Sequence, residues 1–220
     1  YAYVANLSGL KIVDIAHPQD PTILGSCILS HAADIFVREY YAYVADGWSG
    51  LQIIDVTDPL NPAIVGNFDP LDEAMGVYVQ DGYAFLAIGG YYTPSFMVIN
   101  VSDPLNPYLE GNCVTPERPQ DVFVQGNYAY VADIEGLQII DVAVPSNPTL
   151  IGSFTTPGHA YGVFVSGSYA FVADALGGVH AFDIADPFSP TLLASYDTPV
   201  SALNIFESNN NVYVADLGSL

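Results

Sequence analysis

The chain of 220 residues carries 24 acidic and three basic side chains, a formal net charge of -21, which sets it against nucleic acid and anionic membrane surfaces. Hydrophobic residues make up 51% of it, yet no uninterrupted apolar run nears the roughly 20 residues that a spanning helix needs. The apolar residues therefore belong to a folded core, and neither a nucleic-acid partner nor a membrane span is expected in this segment.

Read in chain order, one phrase recurs. The Tyr-Ala-Tyr-Val-Ala start or its counterpart falls at Tyr1, Tyr41, Tyr83, Tyr128, Tyr169 and Asn211, at spacings of 40, 42, 45, 41 and 42 residues. A period of this length marks a repeat architecture. Each unit holds four short apolar runs separated by Gly, Asn, Asp and Pro; in one unit they cover residues 75–79, 83–87, 96–101 and 108–113. Such runs, rich in Val, Ile, Tyr and Phe, predict strands and leave no room for helices. Tight turns at 80–82, 125–127 and 166–168 join the first strand to the second as antiparallel hairpins. Runs such as 51–56 are nearly continuously apolar, which predicts sheets covered on both faces. The expected fold is all-β: a β-propeller of four-stranded antiparallel blades, five repeats plus the start of a sixth. A two-sheet sandwich is the weaker alternative, because nothing in it requires the same phrase in every pair of hairpins. Residues 1–220 then form a single propeller domain or part of one.

With the 75–79 run innermost, the chain opens at the second strand of one blade and stops at Leu220, at the start of a third strand. Tyr1 is not an initiator methionine and no charged and apolar leader precedes it, so the chain reads as part of a longer product. Closure in cis would lay residues 201–207 beside residues 1–5 and leave 212–215 as a surplus second strand.

The third-strand phrases are Leu10-Lys11-Ile12-Val13-Asp14, Leu51-Gln52-Ile53-Ile54-Asp55, Phe96-Met97-Val98-Ile99-Asn100, Leu137-Gln138-Ile139-Ile140-Asp141 and Val179-His180-Ala181-Phe182-Asp183. With the Asp-Pro-x-x-Pro turns that follow, they resemble the LVIVD-repeat family over the whole chain. That resemblance implies a β-propeller, usually in secreted or cell-surface proteins of bacteria and archaea, usually without an assigned activity, and it supplies no catalytic residue. An extracellular or cell-surface location is the corresponding expectation. The third repeat departs most, with Ile88 where others carry Asp or Asn, Asn100 for the strand Asp, and a longer loop at 89–95. If one blade has a private role, it is this one.

Part of the acidity is repetition. Asp46, Asp133, Asp174 and Asp216 recur after the second strand, and Asp14, Asp55, Asp141 and Asp183 recur in the third. Short carboxylates there are expected to accept N–H bonds in the following turn, as are those of the Asp-Pro-x-x-Pro turns at Asp58, Asp103 and Asp186. The remaining acidity, with almost no Lys, suggests a salty or calcium-containing exterior. Cys27 and Cys113 occupy equivalent outer-strand places on non-neighbouring repeats, beyond the approximately 7 Å Cα limit for a disulfide, so two free, buried thiols are expected. The sequons at Asn6 and Asn100 are of a kind that arises often by chance.

No G-x-S-x-G elbow, H-E-x-x-H, Walker loop, dinucleotide glycine pattern or C-x-x-C pair occurs. Stacking the repeats at the entrance to the innermost strand places His31, Glu73, Arg118, His159 and Ser201 in one ring, and Asp34, Gly76, Asp121, Gly162 and Asn204 three residues further on. His31, Asp34, Glu73, Arg118, Asp121, His159 and Asn204 are thus the candidate ligand-binding residues at a channel mouth. Two imidazoles and several carboxylates there suit a divalent metal, with His31, His159, Asp34 and Asp121 as the ligands, or acid/base work. The plain alternative is a wet channel mouth where polar residues cost nothing. Arg118 either grips an anionic sugar or carboxylate or neutralises Asp121 or Glu73. Trp48, Tyr91, Tyr92 and Tyr161 fall in or beside loops, where rings stack on sugars or anchor a protein partner.

The leading reading is a non-catalytic secreted or cell-surface propeller serving as a protein or glycan interaction or assembly module. The second is a metal-binding or hydrolytic propeller with its site at the channel mouth. The third is a subunit of an extracellular filament, self-assembled through incomplete blades. No cofactor is expected, with calcium or another divalent cation as the one class left open.

Overall fold

The computed structural model describes residues 1–90 and 92–218, and every described element is a strand or a turn. Leu220, placed at the start of a third strand by its sequence, lies outside the described residues. Strands β1 (Ala2–Asn6), β2 (Gly9–Asp14) and β3 (Thr22–Ile28) form a first sheet in that order. Four four-stranded sheets follow, each in chain order. Blade two is β4 (Asp34–Arg38), β5 (Tyr41–Ala45), β6 (Leu51–Asp55) and β7 (Ala63–Phe68); blade three is β8 (Ala74–Gln80), β9 (Tyr83–Ile88), β10 (Ser95–Asn100) and β11 (Tyr108–Val114). Blade four is β12 (Pro119–Gln125), β13 (Tyr128–Asp133), β14 (Gly136–Asp141) and β15 (Thr149–Thr155); blade five is β16 (Gly162–Ser166), β17 (Tyr169–Ala173), β18 (Val179–Asp183) and β19 (Thr191–Tyr196). Strands β20 (Ala202–Ser208) and β21 (Asn211–Asp216) pair as the start of a sixth. The first sheet therefore opens at a second-position strand, as its sequence predicts. β20 and β1 belong to different sheets, so the closure in cis described above is not formed.

All neighbouring strands are antiparallel, and the hairpin Asp81-Gly82 shows why its turn is so tight. Both residues have positive φ (52° and 80°), the pairing whose twist matches that of the flanking strands. The innermost strands β4, β8, β12, β16 and β20 contact one another in succession. Each contributes one ring to a ladder, Phe36, Tyr78, Phe123, Phe164 and Phe206, with centroids 4.6, 4.9, 4.9 and 5.0 Å apart. Contacts of this kind add about 0.5–1.5 kcal/mol each beyond burial. Between blades, one sheet's Leu51 and Ile53 meet the next sheet's Leu86, Ile99 and Val101.

The outer strands explain the Pro-rich turns. Gly25, Gly66, Gly111 and Gly152 sit beside a bulge that recurs in every outer strand, and a Cβ at these glycines would overlap the carbonyl oxygens of Pro59, Pro104, Pro145 and Pro187 respectively. The Pro-x-x-Pro turn of each of blades two to five thus docks on the outer strand of the blade before it. The turns are capped as expected: Asp58 and Asp103 accept the N–H of Leu60 and Leu105 and the amides of Asn61 and Asn106, and Asp186 accepts the N–H of Phe188.

Two expectations need correction. Central strands such as β5, β6 and β13 are buried on both faces, but the outer strands are largely exposed, because blades diverge toward the rim and leave nothing to cover them. For the same reason Cys27 and Cys113 are free but only half-buried, and partial burial pushes both thiols up from their ordinary acidity. Titration with a thiol reagent in denaturant without reductant is expected to find two thiols per chain; none would mean that the blade assignment is wrong.

Candidate functional site

The entrances to the innermost strands surround a funnel of about 490 Å3 lined by Ala33, Asp34, Met75, Gln120, Asp121, Tyr161, Leu203 and Asn204. Here Asp, Gly, Asp, Gly and Asn alternate around the axis. Asp34 accepts the N–H of Ile35 in its own strand (2.7 Å) and of Val77 in the next blade (2.8 Å). Asp121 does the same with Val122 (2.8 Å) and Val163 (2.9 Å). Glycines at the intervening places keep the strands close: a Cβ on Gly76 would lie 2.8 Å from Asp121 Cα, and one on Gly162 2.9 Å from Asn204 Cα. The carboxylates are therefore staples between blades. Burial holds Asp34 above the ordinary carboxyl range. Burial, with the nearby Asp34 charge adding to it, pushes Asp121 up to about 8 despite its two N–H donors.

The outer ring does not join this lining. His31 is exposed, its N–H given to Asp46 (2.6 Å) and its side chain packed against Gly47. His159 is exposed, with Nδ1 3.5 Å from the Ile134 carbonyl. The Glu73 carbonyl accepts the N–H of Gly89, and the Arg118 carbonyl that of Ile134. The Arg118 side chain is half-buried and engaged with its surroundings. Among the described residues no group of three or more His, Cys, Asp or Glu is arranged to hold a metal ion.

A second recurring device organises the same face. Asp46, Asp133, Asp174 and Asp216, at the ends of the second strands, accept the N–H of Ser30, Glu117, Gly158 and Val200, each 16 residues earlier. All four clamp the loop entering the blade, whereas only Asp133 and Asp216 also accept from the following turn, the N–H of Glu135 and Gly218, and the turn expectation fails for the Asp46 and Asp174 side chains. Asp14, Asp55, Asp141 and Asp183 close the local turns, as expected. In blade three the polarity is reversed. Ile88 takes the place of the acceptor, and Asp72, at the place of Ser30 and Glu117, turns its carboxylate onto the N–H groups of Tyr92 (3.2 Å) and Thr93 (3.4 Å). Asp72 is 5% exposed. The longer loop of the third repeat is thus anchored from below by a carboxylate that the exchange at position 88 required.

That loop brings two of the ring residues together. Trp48 and Tyr92 meet edge to face, with centroids 6.5 Å apart and planes at 74°, while remaining 52% and 81% exposed. Gly47 pairs with Ala74 through two backbone bonds (3.1 and 2.9 Å), which fixes Trp48 beside the entry segment of blade three. Tyr161 instead lines the funnel, and Tyr91 lies outside the described residues.

Sequence reasoning passed over one polar network. His180 stands on β18 where other repeats carry Lys11, Gln52, Met97 and Gln138, and that exchange was the available signal. Its Nε2 lies 3.0 Å from Asp174 and its Nδ1 2.8 Å from the hydroxyl of Ser195. Asp174 also accepts the Thr156 hydroxyl (2.5 Å) and the Gly158 N–H (2.7 Å). The order Ser, His, Asp has the composition of a nucleophile chain. The Asp performs the loop clamp found in the other blades, however, so the network is that clamp extended to the rim. A larger apolar cleft of about 610 Å3 between blade five and β21 marks the seam that third-strand residues such as Ile99 and Val101 fill between blades two and three.

The sheets, their order and the inter-blade staples define an open arc of β-propeller blades whose loop face carries a funnel and an aromatic pair. The LVIVD-repeat model matches residues 1–28, 30–70, 73–115, 118–156 and 157–198, and the chain belongs to this family. No functionally curated protein matches its sequence. Among solved structures it is similar to a protein of unknown function from Desulfotomaculum acetoxidans DSM 771 (TM-score 0.80, 15% identity, 96% of this chain and 70% of that one). It is also similar to the computationally designed Ika8 protein (0.72, 10%, 96% and 63%), of whose length it spans under two thirds. A third likeness is to a chain in the nidogen/laminin complex (0.67, 14%, 89% and 75%). These likenesses establish the fold. No helix among the described residues is long and apolar enough to cross a membrane.

Proposed function

We propose that the chain belongs to a non-catalytic, secreted or cell-surface propeller that binds a protein or glycan partner through the loop face of blades two and three. The observation that carries this reading is the exposed Trp48–Tyr92 pair on a loop anchored by the buried Asp72. Large rings held in place without being buried are characteristic anchors of interaction surfaces. Family membership is consistent with it, and one structural neighbour comes from a complex of nidogen with laminin. The metal-binding or hydrolytic alternative gains nothing from the geometry, since the imidazoles of His31 and His159 lie outside the funnel lining.

The test is saturable binding of fluorescently labelled protein to cell envelopes from the source organism. Trp48→Ala and Tyr92→Ala are each expected to weaken it about tenfold or more, the size of an anchor-residue loss, with unchanged thermal unfolding. Asp72→Ala is expected to weaken it less while making the loop more sensitive to protease. Equal binding by wild type, Trp48→Ala and Tyr92→Ala would show that this face is not the contact surface.

A further inference from the structure

We infer that the Trp48–Tyr92 platform receives a cationic side chain, an arginine or lysine presented by a partner protein. The inference rests on the interaction-module reading above and names the chemical class of what that face takes. Three observations carry it. The rings are exposed and mutually fixed, so their faces are available to a cation, the arrangement in which guanidinium and ammonium groups are held over indole and phenol.

The surroundings are acidic. Entry segment 69–74 brings Asp69, Asp72 and Glu73 to the place where Gly47 pairs with Ala74. The chain's own cations are elsewhere or already engaged. Lys11 lies on β2, Arg38 is at the opposite end of β4 with its guanidinium donating to the Val79 carbonyl (3.3 Å), and Arg118 is engaged one blade further on. A net charge of -21 attracts cations to this face over about a Debye length and discriminates against acidic glycans. The same charge opposes a second copy as occupant, because each copy brings three basic residues against 24 acidic ones. A neutral glycan stacks on rings but gains nothing from the field, so the acidity favours a basic polypeptide.

Trp48 is the sole tryptophan, so intrinsic fluorescence reads this platform directly. The probe is the peptide acetyl-Gly-Arg-Gly-Arg-Gly-Arg-Gly-amide. Its comparators are the same peptide with citrulline for arginine, which keeps shape and removes charge, and cellotetraose as a neutral glycan. The arginine peptide is expected to change the Trp48 emission saturably. Tyr92→Ala should weaken its binding about 2- to 5-fold, the range of an exposed cation–π contact. The citrulline peptide should bind at least about tenfold more weakly, and raising salt from 50 to 500 mM should weaken the arginine peptide severalfold.

Equal binding of the two peptides overturns the inference, as does arginine-peptide binding that Tyr92→Ala leaves unchanged, or no arginine-peptide binding at all. If envelope binding is lost in Trp48→Ala while only cellotetraose shifts the emission, the module reading stands and the cation class fails. If envelope binding also survives Trp48→Ala, both fail.

Discussion

Replacing His180 by alanine is expected to lower the unfolding free energy by about 3 kcal/mol, the upper range for leaving a buried carboxylate short of a hydrogen-bond donor. Asp174 is 0% exposed and His180 3%, so neither group gains water when the other is truncated. A carboxylate only accepts, so the His180 Nε2 carries the hydrogen that faces it. Without the ring, Asp174 keeps the Thr156 hydroxyl and the Gly158 N–H but loses its third donor, and a void opens between β18 and Ser195. His180→Gln is the informative companion. Glutamine occupies the equivalent places at Gln52 and Gln138, both buried, so this variant should cost about 1 kcal/mol, the scale of one ordinary hydrogen bond. Urea unfolding of the three proteins measures both values. A His180→Ala loss under 1 kcal/mol, or one equal to that of His180→Gln, would show that the network does not hold blade five together.

The second large effect is a change in how stability depends on pH. The Asp121 carboxyl moves from its ordinary 3.8 up to about 8 on folding, first through burial and then through the Asp34 charge. Between these values the native chain holds a proton that the unfolded chain has released. Its contribution to stability is therefore complete below about pH 4 and is lost as pH rises toward 8. Asp34, raised in the same direction, adds to the trend. Each tenfold change in proton affinity is worth about 1.4 kcal/mol, so Asp121 alone should remove on the order of 5 kcal/mol between pH 4.5 and 8.5. Asp121→Asn carries no such proton and should flatten the profile relative to wild type. It also loses an acceptor for the Val163 N–H, so it should be about 1 kcal/mol less stable at pH 4.5, with the two curves crossing as pH rises. The repulsion among the other carboxylates is common to both proteins and cancels in the comparison. Parallel curves would sink the account of Asp121 as a buried, shared-charge staple.

Much of the fold was legible because each blade repeats the same local rules. Residues 83–87 and 96–101 read as strands from their Val, Ile, Tyr and Phe, and β9 and β10 occupy Tyr83–Ile88 and Ser95–Asn100. The staggered opening at a second-position strand was also legible, since the phrase at Tyr1 matches the one at Tyr41. The candidate site was legible only in part. Alignment of repeats brought Asp34, Asp121 and Asn204 to the axis, where they line the funnel, but it placed His31 and His159 with them. A shared repeat position fixes which loop a residue occupies; it does not fix whether the side chain turns to the axis or outward over the neighbouring turn. The exposed outer strands were misjudged because a continuous apolar run gives period, while the depth of cover depends on how far neighbouring blades diverge.

The sequence by itself determined the blade, its strand order, the family and the capped Pro turns, because these follow from local propensity and a repeated hydrophobic pattern. Only the tertiary structure decided which polar groups meet. It joined Asp72 to the Tyr92 loop, Trp48 to Tyr92, Asp34 to Val77 across a blade seam, and His180 to Asp174 and Ser195. Several of these contacts cross between loops or blades some 20 to 44 residues apart in the chain, at distances set by blade packing, which no local pattern encodes.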